Sequence, residues 1–439
     1  MTTIALTDLW VYPALMGALW WLFVWRKKRI ESRNLSLQKE AVEAGLTEPA
    51  SLHPVINTNR CLGCGCCINA CPEQGGHHVL GLINGKSTLI EPTHCIGHGA
   101  CAAACPQDAI TLVFGTETRG VDIPKVKPNF ESNVPGLFIA GELGGMGLIR
   151  NAIRQGCAAM ESIRKVEGIG RGNQLDVLIV GAGPAGFAAT LSAKSHKLRT
   201  KTIEQDTLGG TVSKFPRGKL VMTAPVEIPL LGKVNFKETT KEKLMAFWLS
   251  AEKKTGVKIN YQERVEMIRK NDQGFEVKTN NGSYQTRTVL LSLGRRGTPR
   301  TLDVPGENQP KVVYQLIDPQ QYRGQKVLVV GGGDSALEAA TSIAAEPGTT
   351  VAISYRSEAF SRAKPKNVDL AKKTGEAGRL QILLKSQVKE ITETKVRLEF
   401  EGEDLELEND AVIICAGGIL PTGFLKDSGV LVETKYGTP

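Results

Sequence analysis

The stretch Asp176-Val-Leu-Ile-Val-Gly-Ala-Gly-Pro-Ala-Gly186 decides the fold of most of this 439-residue chain. Its first five residues form an apolar run typical of a buried strand, and its three glycines permit a tight turn into a helix. Glu204 follows 18 residues after the last glycine, behind a second predicted strand. This combination predicts a βαβ unit in which glycines admit a pyrophosphate and a carboxylate accepts ribose hydroxyls.

A second copy of the pattern begins 150 residues later, where Lys326–Val330 leads into Gly331-Gly-Gly-Asp-Ser-Ala336, with alanine in place of the third glycine. Two dinucleotide sites are therefore expected. The predicted fold class is α/β, with two Rossmann-like domains, a small α+β domain and one N-terminal transmembrane helix.

Eight of the ten cysteines lie between Cys61 and Cys105. The segment Cys61–Pro72 contains the spacing C-x2-C-x2-C-x3-C-P, and 95–106 repeats it with His98 in place of the second cysteine. In this spacing three thiolates bind one iron-sulfur cubane and the fourth binds a second cluster. The thiolates need a reducing compartment, and a disulfide framework is not expected.

Both copies resemble the bacterial two-cluster ferredoxin. By the crossed ligation of that family, the resemblance implies Cys61, Cys64, Cys67 and Cys105 as ligands of cluster one, and Cys71, Cys95 and Cys101 as ligands of cluster two. His98 either completes the second cubane or lies beside a three-iron cluster. We favour ligation, because imidazole binds iron and the glycines on either side let the backbone approach.

From residue 171 onward the chain resembles the thioredoxin reductase group of flavoproteins, through the first fingerprint, the strand Val289–Leu293 with its following glycine, and the segment Gly331–Glu338. In that group the first site holds FAD, and an inserted domain holds NAD(P)H. The segment after Leu208 also resembles some low-molecular-weight-thiol reductases. The residues expected to contact the two dinucleotides are Gly181, Gly183, Pro184, Gly186, Glu204, Gly209, Gly210, Gly294, Gly331, Gly333, Asp334 and Ser335.

The closing motif of that group is absent from the C-terminal end of this sequence. Asn133-Val-Pro-Gly-Leu-Phe-Ile-Ala-Gly141-Glu142 resembles it instead, with glutamate in place of the usual aspartate. We interpret this order as a circular permutation of the FAD domain, in which Gly141 and Glu142 meet the flavin. A separate linker domain is the alternative, and it leaves the flavin site incomplete.

The choice between NADPH and NADH depends on the strand Thr350–Ser354, which ends without the acidic residue that binds a free ribose 2′-hydroxyl. Arg356 matches one basic position of the thioredoxin reductases, whereas Arg362 lies one position beyond another. These residues favour NADPH over NADH.

The 17 uncharged residues Leu9–Trp25 would span about 26 Å at roughly 1.5 Å per residue, which is just enough for a membrane anchor. The basic run Arg26–Arg29 follows at once. By the positive-inside rule, this order predicts a single pass through the cytoplasmic membrane of a prokaryote, with the N-terminus outside and the catalytic domains in the cytoplasm.

The expected domain organisation has seven parts. They are the anchor (1–29), a polar stalk (30–50), the ferredoxin-like domain (51–115), the displaced closing segment (116–170), the FAD domain (171–305), the inserted NAD(P) domain (306–408) and the return to the FAD domain (409–439).

The function expected from these modules is transfer of hydride between NAD(P)H and FAD, and of single electrons between FAD and two 4Fe-4S clusters, with no catalytic acid or base. The expected partners are a membrane cytochrome, a quinone-reducing subunit or a ferredoxin, together with the lipid bilayer. Monomer and homodimer both stay open. The net charge of +9 is spread along the chain, and no nucleic-acid module is recognisable.

Two alternatives stay open. A disulfide reductase of this family would carry Cys-x-x-Cys, but Cys415 is the sole cysteine after Gly172, so only direct reduction of a low-molecular-weight disulfide by the flavin fits. The other alternative is an electron-conducting subunit of a respiratory complex with a degenerate nicotinamide site.

Overall fold

A computed structural model describes residues 8–43, 47, 49, 52–75, 78–95, 97–117, 120–144, 148–222, 225–235, 238–295, 297–361 and 363–437. The chain divides into two compact units, and the division falls between Val113 and Phe114. The first unit holds the cysteine-rich segment, and the second holds both predicted dinucleotide-binding units.

The first unit consists of one long helix and a small module of short elements. These elements are α1 (Asp8–Glu43), β1 (His53–Ile56), α2 (Cys66–Ala70), β2 (Leu80–Ile83), β3 (Lys86–Leu89), α3 (Ala100–Ala103) and β4 (Ile110–Val113). Strands β1 and β4 pair antiparallel, as do β2 and β3. Its core is formed by four of the motif cysteines together with apolar side chains.

Helix α1 differs from the predicted anchor and stalk, because it runs without interruption through both regions. Its residues beyond Arg29 pack against the β2–β3 hairpin, with Asn34 and Ala41 buried. Much of the segment predicted as a polar stalk (30–50) is thus helical, and part of it contacts the hairpin. Among the described helices, none combines the length and the apolar character needed to cross a membrane, so the transmembrane prediction for Leu9–Trp25 is not confirmed.

The second unit is built around two sheets, the first mixed and the second parallel. Its elements up to the end of the first sheet are β5 (Val121–Pro124), β6 (Leu137–Ile139), α4 (Ile149–Ile163), β7 (Leu175–Val180), α5 (Pro184–Ser195), β8 (Thr200–Ile203), β9 (Leu220–Met222), β10 (Val226–Ile228), β11 (Gly232–Val234), β12 (Glu238–Thr240), α6 (Lys241–Thr255), β13 (Ile259–Asn260), β14 (Val265–Asn271), β15 (Gly274–Thr279) and β16 (Gly282–Leu291).

The first sheet has the strand order β13-β8-β7-β16-β15-β14, and β6 pairs parallel with the end of β16. All but the first residue of β7 are buried, as expected for a parallel strand covered on both faces. Helix α4 packs closely against α5, where a Cβ on Gly156 would lie 2.1 Å from the carbonyl oxygen of Ala185. The segment that precedes the first fingerprint thus adds one strand and one helix to the fold of that fingerprint.

The remaining elements form the second sheet and the C-terminal end of the unit. They are β17 (Thr298–Pro299), β18 (Val312–Val313), β19 (Lys326–Val330), α7 (Asp334–Ala344), β20 (Thr350–Tyr355), α8 (Pro365–Glu376), β21 (Leu380–Leu384), β22 (Ser386–Ile391), β23 (Lys395–Phe400), β24 (Glu403–Glu408), β25 (Ala411–Ile414), β26 (Gly418–Ile419), α9 (Thr422–Asp427) and β27 (Val432–Lys435).

The second sheet has the order β18-β25-β19-β20-β21, and β22, β23 and β24 form a separate antiparallel sheet. Strand β25 lies beyond residue 408, where the inserted domain was expected to end, yet it pairs with β19. The buried strand β25 is needed to cover that edge of β19, so the second sheet extends to Ile414. Strands β17 and β26 form a short antiparallel ladder where the chain enters and leaves the domain of the second sheet. Strand β27 then pairs with β5.

Candidate functional site

The cluster-one loop, residues 61–67, encloses a cavity with an empty volume of about 330 Å³ that opens to solvent. Cys61, Cys64 and Cys67 line it, and Cys105 joins them from the other end of the module. Gly63 has φ +68°, and a Cβ there would lie 2.1 Å from the carbonyl oxygen of Gly85. The structure thus brings together the four thiols expected to hold cluster one.

Three groups of strand β3, outside the motif, contact these sulfurs or their loop. The hydroxyl of Ser87, a buried residue of β3, lies 3.2 Å from the Cys67 sulfur, and its backbone N–H donates to the Cys61 sulfur at 3.4 Å. Lys86 donates from Nζ to the Cys61 carbonyl oxygen at 2.7 Å. Sequence reasoning missed Ser87 and Lys86, because no spacing rule connects a hairpin to a cluster loop.

In the cluster-two loop, residues 95–101, the two glycines repeat the conformations of those in the first loop. Gly97 and Gly99 have φ +71° and +80°, close to the +68° and +76° of Gly63 and Gly65. Gly65 and Gly99 each precede a short helix, α2 or α3. His98 therefore occupies the position in its loop that Cys64 occupies in the cluster-one loop.

The expected thiol ligands of cluster two are buried. Burial raises the pKa of the Cys71, Cys95 and Cys101 thiols, and that of Cys101 reaches about 11. Such thiols are protonated near neutral pH and become good ligands only when a metal replaces the proton. Over the described ranges, no three His, Cys, Asp or Glu side chains lie close enough to share a single metal ion.

The donor set and the open cavity fit an iron-sulfur cluster better than a disulfide framework. The ten cysteines, all within the described ranges, form no disulfide, and those in the motifs gather around the two loops. A sulfur-lined cavity with N–H and O–H donors to sulfur suits a cluster whose charge is offset by hydrogen bonds.

The first glycine turn of the second unit has little space for larger residues. A Cβ on Gly181, which has φ +101°, would lie 2.6 Å from the Ser292 carbonyl oxygen. A Cβ on Gly186 would lie 1.8 Å from the carbonyl oxygen of Gly181. Two of the three fingerprint glycines are thus required by packing between β7, α5 and the end of β16.

Gly183 differs, because its missing side chain leaves open space at the start of α5. A Cβ there would meet only the Cα of Gly210, 4.0 Å away, in the turn that contains Gly209. Pro184 is the first residue of α5, and Gly183 carries no side chain that could cap the first N–H groups of the helix. This groove at a helix N-terminus fits the pyrophosphate of a dinucleotide.

Glu204 lies at the end of β8, where the ribose-binding carboxylate was expected. Its two oxygens accept hydrogen bonds from the backbone N–H of Ala182 (2.7 Å) and Asp206 (2.9 Å). Burial raises the pKa of this carboxyl group, and those two hydrogen bonds counteract the effect. The side chain is held against the glycine turn, in a position that fits contact with a ribose.

The displaced motif supplies Gly141 and Glu142 directly after β6. Gly141 has φ +85°; its N–H donates to Oε1 of Gln155 in α4 at 2.8 Å, and a Cβ there would lie 2.8 Å from the Cβ of Ala185 in α5. Burial raises the pKa of Glu142, while nearby Arg295 acts in the opposite direction. The motif therefore lies beside the first fingerprint helix, although its sequence position precedes that helix.

The second glycine turn follows β19. A Cβ on Gly331 would lie 2.4 Å from the Cys415 carbonyl oxygen, and the ring of Tyr355 covers Gly332 at the same distance. Gly333 precedes α7, and the first residue of that helix, Asp334, accepts hydrogen bonds from the Lys364 N–H and the Asn367 amide, both at 2.7 Å. The next residue, Ser335, is exposed.

The residues expected to select the nicotinamide nucleotide are only partly described. Arg356 is exposed and follows Tyr355, whose ring stacks on Phe360 with centroids 5.6 Å apart. Arg362 lies outside the described residues. Sequence reasoning did not single out Tyr355. Its position at the end of strand β20 is the signal that could have indicated it.

Comparison with known proteins agrees with this geometry. Residues 178–439 match the family described as pyridine nucleotide-disulphide oxidoreductase, and residues 53–106 match a 4Fe-4S dicluster domain.

Among curated relatives, a ferredoxin--NADP reductase of Ignicoccus hospitalis is 30% identical over 268 residues, which cover 59% of this chain and 83% of the relative. A second, from Picrophilus torridus, is 28% identical, and the match covers 60% and 82% of the two chains.

The solved structures include two of similar fold. A bacillithiol disulfide reductase from Bacillus cereus has a TM-score of 0.52 and 26% identity, and the match covers 58% of this chain and 81% of that one. The corresponding enzyme of Staphylococcus aureus also has a TM-score of 0.52, with 24% identity and coverage of 59% and 81%. This chain therefore belongs to the pyridine nucleotide-disulphide oxidoreductase family, and it carries a 4Fe-4S dicluster ferredoxin domain in addition.

Proposed function

We propose that the chain is a membrane-attached oxidoreductase that connects NAD(P)H to a one-electron partner through FAD and two 4Fe-4S clusters. When bound, FAD would exchange a hydride with the nicotinamide and single electrons with the clusters. The residues of the chain bind and orient these groups, and no acid or base side chain is required.

The observation that carries the proposal is the placement of the Gly141–Glu142 motif. Strand β6 pairs with β16, and Gly141 packs on α5 beside the first glycine turn. In sequence this motif follows the ferredoxin-like module, so one continuous chain joins the cluster ligands to the dinucleotide groove. The ferredoxin--NADP reductases among its relatives support the same pairing of nicotinamide and iron-sulfur chemistry.

The proposal includes a circular permutation of the FAD domain. Its support is that β27, near the C-terminal end of the sequence, pairs with β5, which precedes the displaced motif. The new order keeps the closing strand and helix of the domain in contact with the fingerprint. A chain reordered to begin at 171 and to end with 116–170 should fold and bind FAD, which absorbance of the purified protein would show.

Anaerobic titration of the purified protein with NADPH and with NADH tests the central claim. We expect bleaching of the flavin absorbance, followed by EPR signals of reduced clusters. Replacing Gly183 by valine should remove the flavin and leave the iron, because the side chain would fill the pyrophosphate groove. Flavin retained in Gly183→Val, or clusters that stay oxidised after flavin bleaching in the unmodified protein, would contradict the proposal.

NADPH is the proposed nucleotide. Two features support it: the strand ends in Tyr355 and not in an acidic residue, and Arg356 beside it is exposed. A 2′-phosphate contact should make Arg356→Ala raise the KM for NADPH and leave the KM for NADH unchanged. Lys366→Ala in α8 is the matched control, because it removes another exposed positive charge. Equal effects on both nucleotides would remove the support for NADPH.

Attachment to the cytoplasmic membrane through α1 is also part of the proposal. Between Tyr12 and Trp25 the large apolar side chains of the helix are solvent-exposed, and the exposed basic run follows. Such a surface suits acyl chains and anionic headgroups. Deleting residues 1–29 should release the protein from membranes with its flavin and iron intact, whereas deleting 1–43 also removes the Asn34 contact and should destabilise the first unit.

Direct reduction of a low-molecular-weight disulfide is a second candidate function. The fold similarity to bacillithiol disulfide reductases favours it, as does the turn at Gly209 and Gly210 beside Gly183. This function predicts that NADPH consumption depends on added bacillithiol disulfide. If the rate is unchanged when the ferredoxin-like cysteines are replaced, the result supports this function over the electron-transfer function.

A further inference from the structure

The β2–β3 hairpin attaches the ferredoxin-like module firmly to α1. The buried side chain of Asn34 donates to the Leu82 carbonyl oxygen at 3.0 Å, and Oε1 of Glu31 accepts from the Asn84 N–H at 2.5 Å. Gly81 lies beneath Asn34, because a Cβ there would be 2.7 Å from the Asn34 amide nitrogen. Two hydrogen bonds and a close backbone approach fix the hairpin on the helix.

The same hairpin also contacts the cluster-one loop. Its turn at Gly85 packs against Gly63 so closely that a Cβ on Gly63 would lie 2.1 Å from the Gly85 carbonyl oxygen. Lys86 Nζ donates to the Cys61 carbonyl oxygen at 2.7 Å. The hairpin turn is therefore held between Glu31 of α1 and the loop that carries three expected ligands of cluster one.

These contacts fix the position of the cluster-one loop along the axis of helix α1. Glu31 follows the last residue of the basic run, Arg29, by two positions, which is about 3 Å along a helix axis. Arg26–Arg29 are exposed, and Arg29 lies over the Trp25 ring at 5.4 Å. When the apolar half of α1 is in lipid, the basic run lies among the headgroups, and the hairpin turn lies at the same level.

The cluster-one loop presents an apolar side chain at that level. Leu62 is 70% exposed, although it lies between two expected cluster ligands, and Cys64 is exposed as well. An exposed leucine at the level of the headgroups suits the interface between headgroups and acyl chains.

We propose that the cluster-one loop rests on the surface of the bilayer, with Leu62 inserted among the lipid headgroups. Cluster one would then exchange electrons with a carrier that resides in the membrane. Each exchange moves one electron between the cluster and the carrier, and no bond forms or breaks. The inference rests on the proposed membrane attachment through α1 and adds the orientation of the module and the location of its redox partner.

Hydrogen exchange measured by mass spectrometry tests the inference on the full-length protein with its clusters. On vesicles of phosphatidylglycerol and phosphatidylethanolamine, backbone amides of residues 60–66 should exchange more slowly than in detergent. Leu62→Asp should lose this protection while the protein still sediments with the vesicles and keeps its iron. Val55→Asp is the matched control, because Val55 is an exposed apolar residue of β1 in the same module, and it should keep the protection.

A second readout uses the EPR signal of reduced cluster one. A nickel chelate attached to lipid headgroups should speed the spin relaxation of cluster one more than the same amount of chelate free in solution does. Protein that sediments with vesicles but shows neither protection nor selective relaxation would overturn the inference and leave membrane attachment intact. Protein that fails to sediment with vesicles would overturn both.

Discussion

The cluster-one and cluster-two loops share the same pair of left-handed glycines but present different ligands to different surroundings. In both, two glycines with positive φ flank the second ligand position. That position is an exposed cysteine, Cys64, in the first loop and His98 in the second. A hydrogen bond from the Cys66 backbone lowers the pKa of the Cys64 thiol, whereas burial raises the pKa of Cys101 to about 11.

The turn and the ligand are therefore independent features of these loops. Glycine allows the left-handed conformation that costs other residues about 1–2 kcal/mol, so the flanking glycines preserve the turn whichever side chain lies between them. The ligand then determines the charge on the cluster.

The largest effect is expected from breaking the turn in one loop only. Gly63→Ala should lose cluster one, because its Cβ would overlap the Gly85 carbonyl oxygen in addition to straining φ. Gly65→Ala is the matched control, since it has the same strain but open space around its Cβ. Iron and labile sulfide analysis would measure the loss, and a full complement of both in Gly63→Ala would show that the hairpin contact is dispensable.

The next effect concerns the ligand at the second position. If the His98 imidazole binds iron, His98→Ala should lose one iron from cluster two and show a three-iron EPR signal after oxidation. Cluster one should be unaffected in the same sample. An unchanged four-iron spectrum in His98→Ala would refute ligation, and a three-iron signal already present in the unmodified protein would do the same.

Exchanging the two ligands should produce smaller, opposite effects. His98→Cys adds negative charge at cluster two and should lower its potential, whereas Cys64→His should raise the potential of cluster one. Redox titration followed by EPR measures both. Shifts in the same direction would mean that the loops differ by more than this ligand.

The smallest effect is expected from the Ser87 hydroxyl, which contacts an expected ligand of cluster one. Ser87→Ala removes the contact with the Cys67 sulfur and should lower the potential of cluster one slightly, because a hydrogen bond contributes about 0.5–1.5 kcal/mol. Thr88→Ala on the same strand is the control. An equal shift in both variants would assign the effect to the strand and not to the hydroxyl.

Sequence reasoning predicted the local structure around the motifs. The two glycine turns follow buried strands and open helices, and the cysteines of the ferredoxin-like motif gather around two loops. Such features depend on residues close together in the chain, where spacing and conformational preference decide the geometry. The family assignment from those motifs agrees with the matches over residues 53–106 and 178–439.

The sequence by itself determined the α/β class, the two glycine turns and the cysteine spacing, because each is written in contiguous residues. Only the tertiary structure decided that α1 continues onto the hairpin through Asn34, that Ser87 and Lys86 reach the cluster-one loop, and that β25 extends the second sheet to Ile414. These contacts join residues far apart in the chain. They depend on which surfaces are left to be covered once the local elements have formed, and no local spacing encodes that.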